Sequence, residues 1–254
     1  MALSADDLDP AIWNDDAARD YRRGVAWMYE PEVLDPAVDA LATLAGDGPA
    51  LEFAIGTGRV GLALQQRGVE VHGIEFSQPM VDELRRQPDG DRIPVVVGDM
   101  ASATTTARAP GGFALVYLVF NTISNLLTQE QQVACFRNAA AHLAPGGAFA
   151  IETFVPELRR LGVGERFLAF DVSDEHLGFD EYDTVSQLLV SHHVDVRPGH
   201  EGVFRSPHRY AWPSELDLMA QLAGLTSESR WADWTGAEFT AESASHVSVW
   251  RKPA

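Results

Sequence analysis

The sequence predicts a doubly wound α/β domain on a mostly parallel sheet, interrupted late in the chain by an antiparallel β insertion. Three observations carry this. Between Ala50 and Phe154, short apolar or β-branched runs alternate with helix-length patterns, the rhythm of right-handed βαβ units. Phe113–Val119 (FALVYLV) is almost wholly apolar, as a strand buried on both faces requires. After Val155 the rhythm changes to β-like pieces, with no long helical pattern before Trp212.

The elements follow in order. Asp15–Arg23 reads as a short helix with Asp at its start, where the helix dipole favours negative charge, among the aromatics Trp13, Tyr21, Trp27 and Tyr29. Glu32–Leu44 spaces its apolar residues helically, and Gly46-Asp47-Gly48-Pro49 stops it. Ala50–Ile55 is a buried strand, Gly56-Thr57-Gly58 a turn, and Arg59 to about Arg67 a helix; a second strand, Val69–Ile74, ends on Glu75. Met80–Arg86 continues a helix, and Ile93–Val97 is a β-branched strand running into Gly98-Asp99-Met100. Asn121 to Asn125 is a polar loop after the fourth strand, Thr128 or Gln129 opens a helix through Leu143, and Ala144-Pro145-Gly146-Gly147 turns into a fifth strand, Ala148–Thr153. The β-like pieces beyond it are Arg166–Val172, Thr184–Val196 and Gly202–Ala211, with a turn at Pro198-Gly199. Trp212-Pro213-Ser214-Glu215 restarts a helix that Gly224 caps, a strand runs to about Trp234, and His246–Arg251 is the last strand.

Composition excludes several function classes. The 254 residues carry a net charge of −18, and the sole lysine is Lys252, so no basic surface for nucleic acid emerges. Cys135 is the one cysteine, which rules out a disulfide framework and a cysteine zinc site. The acidic N-terminus has no signal-like apolar core and no run reaches a membrane span, so the expected location is the cytoplasm. Oligomeric state is not legible.

The chemistry starts at the glycine turn. A strand that ends on Gly56-Thr57-Gly58 and re-enters a helix aims backbone N–H groups at a ligand, and the missing Cβ atoms let that ligand approach. Glu75, at the tip of the neighbouring strand, lies within reach of a ribose diol. Gly56-Thr57-Gly58-Arg59-Val60-Gly61 satisfies the dinucleotide pattern G-x-G-x-x-G, so an NAD-dependent oxidoreductase competes. Three features favour another cofactor. Glu52 sits inside the first strand, where its carboxylate can order the glycine loop or reach the ligand; Gly98-Asp99-Met100 offers an acceptor and an apolar face for adenine; Leu143-Ala-Pro-Gly-Gly147 precedes the fifth strand.

LEFAIGTGR, GIEFSQPM, VGDM and HLAPGGAFAIE, in that order over roughly residues 50–154, resemble the motif set of class I S-adenosylmethionine-dependent methyltransferases. The resemblance implies a Rossmann-like seven-stranded sheet with its last strand antiparallel, and S-adenosylmethionine as cofactor. It implies cofactor contacts from Tyr21, Glu52, Ala54, Gly56, Thr57, Gly58, Arg59, Glu75, Phe76, Ser77, Met80, Gly98, Asp99 and Met100. Glu75 would bind the ribose, Asp99, Met100 and Phe76 the adenine. Ala54 stands where the family's first loop glycine usually does. That alanine, a tyrosine ahead of the first helix and the β insertion are also similar to small-molecule N-methyltransferases acting on amino sugars and other small amines. On that similarity Tyr21 lies near the cofactor carboxylate or sulfonium, with Arg22 or Arg59 a partner for the carboxylate. Asn121–Leu126 then borders the acceptor, and Tyr21 and Asn125 are the catalytic candidates.

The implied division is an N-terminal helical cap (1–49), a cofactor-binding core (50–154), a substrate-side β insertion acting as a lid (155–211), and the final helix and strands (212–254). The expected partner is a small molecule, an amine favoured over a hydroxyl, with in-line transfer driven mainly by proximity and no metal. His192 and His193, adjacent on one strand, point to opposite faces and cannot form a metal pair there. His200, His208, Glu181 and Asp183 are further titratable groups of the insertion. A protein that holds the cofactor without turnover stays open as a third reading.

Overall fold

The computed structural model describes Ala18, Tyr21 and residues 24–105, 111–199 and 202–254. Of the short helix expected over 15–23, Ala18 and Tyr21 fall within these and are helical; Trp13, Arg22 and His200 lie outside the described residues.

The strands are β1 (Ala50–Phe53), β2 (Val71–Glu75), β3 (Val95–Val97), β4 (Phe113–Leu118), β5 (Leu143–Phe154), β6 (Phe167–Val172), β7 (His176–Asp183), β8 (Leu188–Asp195), β9 (Gly202–Arg209), β10 (Thr226–Trp231) and β11 (Ser245–Arg251). The helices are α1 (Pro31–Ala45), α2 (Arg59–Gln66), α3 (Gln78–Arg85), α4 (Gln129–His142) and α5 (Pro213–Leu222). One seven-stranded sheet runs β10-β11-β5-β4-β1-β2-β3, in which β11 alone opposes its neighbours. Strand order reverses at β1, which pairs in parallel with β2 on one side and β4 on the other. That reversal opens a crevice at the carboxyl ends of β1 and β4.

Burial explains the layering. Val38 and Leu41 of α1 and Val60 and Leu64 of α2 pack with Tyr117 and Val249 on one sheet face. On the other, Phe136 of α4 meets Phe149 and Trp250 edge-on at 5.1 and 5.2 Å, beside Leu216 and Met219 of α5. Such ring pairs contribute about 0.5–1.5 kcal/mol beyond their burial. Thr128 caps α4 in a reciprocal box with Gln131, which fixes its start where the sequence placed it.

Four details differ from expectation. β1 ends at Phe53 rather than Ile55, because Ala54 takes a left-handed φ of 52°. The Ala144–Gly147 turn lies inside β5: β4 pairs Phe113 with Leu143 and resumes at Leu115 with Ala148, leaving the intervening residues looped out. Trp234 falls beyond β10, which ends at Trp231. The piece expected over Thr184–Val196 holds one strand, β8, which starts only at Leu188 because a hairpin turn from β7 occupies its first residues. Asp183 drives that turn by accepting the Val185 N–H at 2.9 Å, and Gln187 completes it at φ 57°. β7 went unread because its glycine and acids (HLGFDEYD) mask the alternation. Gly178 makes room there for the Phe170 ring, which a Cβ would approach to 2.2 Å.

The strands β6-β7-β8-β9 make a second, wholly antiparallel sheet. Arg209 ties it to the core. The residue is 4% exposed, and its guanidinium bonds Glu215 at the start of α5 at 2.8 Å, Gln187 at 3.0 Å, and Gln132 of α4. No described helix is long and apolar enough to cross a membrane.

Candidate active site

A cleft of about 230 Å³ opens at the strand-order reversal. Ten of the residues expected from the sequence line it: Tyr21, Ala54, Gly56, Glu75, Phe76, Met80, Gly98, Asp99, Met100 and Asn125. The remaining five stand around it.

Gly56 (φ 58°) and Gly58 (φ 84°) both need left-handed backbone, and a Cβ on Gly56 would meet only the Ala54 carbonyl, at 4.0 Å. The space above Gly56 is therefore free for a ligand. Ala54 holds the same left-handed bend without being glycine, at a strain of about 1–2 kcal/mol, so the alanine keeps the loop tight rather than relaxing it.

Glu75 ends β2 almost fully buried. Its two oxygens accept the Gly56 N–H and the Ser77 N–H, each at 2.8 Å. Burial pushes its carboxyl above the usual range, and these backbone donors pull it back. Ser77 caps α3 by accepting the Met80 N–H at 3.3 Å, so it shapes the cleft from outside. Gly58 is the N-cap residue of α2.

Glu52 does not line the cleft. It is 2% exposed under the glycine turn, accepting the Tyr117 hydroxyl at 3.0 Å and the Gly61 N–H. Desolvation raises its carboxyl to about 8 despite those bonds and the nearby Arg59. At neutral pH it is mostly a neutral acid, which orders the turn. A Cβ on Gly61 would come within 2.8 Å of its Oε2, so the third glycine of the motif is there to admit this carboxyl.

Asp99 Oδ1 accepts the Ala101 N–H at 2.8 Å, and Phe76, also in the cleft wall, is 64% exposed. Tyr21 comes in from the N-terminal segment, where burial raises its hydroxyl pKa while the charge of Arg59 opposes the shift. Tyr29 reaches Thr57 at 3.2 Å and joins that segment to the glycine turn. Arg59 lies 6.0 Å over the Phe120 ring.

At the far end stand Asn125, Leu126, Leu127, Gln131 and Pro207. Asn125 closes the 3₁₀ turn Thr122–Asn125, and because Thr128 caps α4, its side chain is not needed as a cap. Ile74, Leu127, Gln131 and Pro207 were not anticipated. Pro207 sits on β9, distant in sequence, where only the sheet pairing could have revealed it; Leu127 and Gln131 directly continue the acceptor-loop stretch. Phe120 and Asn121 (φ 52° and 61°) are held in left-handed backbone ahead of the turn, the Phe120 N–H bonding the Glu152 carboxylate at 2.8 Å. Strain of this kind concentrates at functional loops.

His192 stacks on Phe179 at 4.6 Å and faces Glu181, while His193 on the opposite face meets His176 at 3.2 Å. Among the described residues no group of three histidine, cysteine or acidic side chains could hold a metal ion.

A family described as "Methyltransferase domain" matches residues 50–147. The chain is similar to the cypemycin N-terminal methyltransferase of a Streptomyces species, 25% identical over 249 residues, covering 95% of this chain and 98% of the relative. It is similar to the solved CcbJ methyltransferase from Streptomyces caelestis at 39% identity and a TM-score of 0.77, covering 87% of this chain and 90% of that one. CalS10, an amino pentose methyltransferase from Micromonospora echinaspora solved with S-adenosylmethionine bound, shares the fold at 19% identity and a TM-score of 0.66, covering 93% of this chain and 96% of that one. The nicotinamide reading falls with these matches, and the chain belongs to the S-adenosylmethionine-dependent methyltransferases.

Proposed function

We propose that the protein methylates a small molecule at an amine nitrogen rather than a hydroxyl. The observation that carries this is the acceptor end of the cleft. His208, next in sequence to the lining residue Pro207, has both ring nitrogens engaged by serines, at 3.1 and 2.8 Å, and its pKa is pushed down to about 4 by burial. A hydroxyl acceptor wants a base or a metal, whereas an amine that arrives deprotonated needs neither. The relatives named for N-terminal and amino pentose methylation support the same reading.

When bound, the cofactor supplies a methyl group activated on a sulfonium. The chain's part is to hold donor and acceptor at near-attack distance and to exclude water. In this reading Glu75 takes the ribose diol, and Asp99, with Phe76 and Met100, takes the adenine. Gly56 and Gly58, with Met80 and Gly98, give close backbone approach. Tyr21 and Arg59 hold the amino-acid end, and Glu52, Thr57 and Ser77 keep the turns in shape from behind. Asn125 orients the acceptor, and residues 155–211 wall it in, with Pro207 as their contribution to the cleft. The cap, core, insertion and closing segment expected from the sequence belong to the same reading.

The test combines calorimetry against S-adenosylhomocysteine with a labelled-methyl assay across amine and hydroxyl libraries. Methylation of amines with hydroxyl analogues inert is the expected outcome. Turnover confined to hydroxyls sinks the amine reading, and tight binding without turnover on either library favours a non-catalytic binder.

A further inference from the structure

The turn that carries Asn125 into the cleft is tied to the insertion by one histidine. Ser124 Oγ donates its single proton to the Asn121 carbonyl at 2.6 Å. It can therefore only accept from His208 Nδ1, 3.1 Å away, which makes that nitrogen the protonated one. His208 Nε2 is then an acceptor, and the Ser206 hydroxyl donates to it at 2.8 Å. Ser124 is 1% and Ser206 8% exposed, so water does not replace these partners. A second tie runs alongside: the Gln132 amide donates to the Ile123 carbonyl at 3.2 Å and to the Arg209 carbonyl at 3.0 Å. Three consecutive β9 residues thus do three jobs: Pro207 faces the cleft, His208 grips the turn, and Arg209 anchors the strand to α4 and α5.

We propose that His208 is a positioning residue for methyl transfer: as the Nδ1–H tautomer, oriented by Ser206, it holds Ser124 and so sets the acceptor turn 121–126 against the insertion. The inference rests on the reading of that turn as the acceptor side. His208 is not itself among the residues that line the cleft. Its loss therefore acts on the orientation of the acceptor while cofactor affinity stays as it was.

Three variants test it. His208→Phe removes the bond, Ser124→Ala removes it from the other side, and His208→Asn puts an amide N–H where Nδ1–H stood. In His208→Phe and Ser124→Ala, amide exchange across 121–127 speeds up by about tenfold or more, and affinity for S-adenosylhomocysteine stays within about twofold. With an amine identified by the library assay, kcat falls by about tenfold while the acceptor KM moves less than about threefold, and His208→Asn recovers most of both effects. Unchanged exchange in the turn, or a His208→Asn protein as impaired as His208→Phe, overturns the proposal. The exchange and cofactor measurements need no acceptor, so they decide the role of His208 even where the amine reading fails.

Discussion

Removing the carboxylate of Glu75 tests whether this group only braces the glycine turn or also holds the cofactor. In Glu75→Ala, the Gly56 and Ser77 N–H groups lose an ionisable acceptor at 2.8 Å each. A bond to a charged acceptor contributes about 1.5–3 kcal/mol, and a stranded buried donor costs about 1–3 kcal/mol. Two are broken, but the cleft beside them admits water, so a net stability loss of about 2 kcal/mol is the expectation. Cofactor binding should weaken separately by about 1–3 kcal/mol, roughly five- to 150-fold, for the charge-assisted ribose bond. Urea melts report the first quantity, and calorimetry with S-adenosylhomocysteine on the folded variant the second. Glu75→Gln keeps one oxygen acceptor and should lose less stability than alanine while losing most of the affinity. Affinity unchanged in both variants, with stability reduced, would refute the ribose role and leave Glu75 as a brace.

Glu52→Gln should cost little at pH 6, because the amide resembles the neutral acid. The folded group titrates near 8 against an ordinary 4.5, so the wild type loses stability as pH rises from 4.5 through 8, by about 4–5 kcal/mol in all, and the variant should not; parallel pH–stability curves for the two proteins would show Glu52 ionised throughout. Gly58→Ala sets a Cβ at φ 84° and 2.3 Å from Leu84 Cδ1, and a loss of about 2–4 kcal/mol in chemical denaturation is expected, with a loss under about 1 kcal/mol counting against the strain argument. Asn125→Ala should leave S-adenosylhomocysteine affinity within about twofold and lower kcat/KM for an accepted amine by about tenfold; equal loss for cofactor and acceptor would move Asn125 out of the acceptor role.

The glycine turn and the acid at the end of β2 were legible because their determinants are local. Gly56, Gly58 and Glu75 sit on one strand–turn–helix–strand unit, and the pattern of glycines and a strand-end acid states a geometry that needs no distant partner. Glu52 bonds Tyr117 and the Gly61 N–H beneath the turn and does not line the cleft. Its carboxyl is sealed by Tyr117 from β4, a pairing no local pattern shows. The second sheet was read less well for the same reason. β7 carries glycine and acids at positions whose meaning depends on Phe170 of β6 and Ser191 of β8, so its strand character appears only once the sheet is assembled.

The two halves of the site are also held by separate devices. Glu75 on Gly56, Ser77 on Met80 and Glu52 under Tyr117 all lie between β1 and β4. Ser124 with His208, Gln132 with the Arg209 carbonyl, and Arg209 with Glu215 join the turn after β4, α4 and α5 to the insertion. These bonds share no residue with the first set, and the two sets are joined where β4 hands over to the turn after it and through Asn138 of α4, which donates to the Met100 carbonyl at 2.8 Å. In the proposed function, a substitution in β9 therefore reshapes the acceptor wall while the cofactor cradle keeps its own bonds, and one in the glycine turn weakens the cofactor while Pro207 keeps its place. That separation makes cofactor affinity and acceptor turnover independent readouts here. A variant of either set that moved both together would show the two halves mechanically coupled through β4, most directly through the left-handed pair Phe120 and Asn121 held by Glu152.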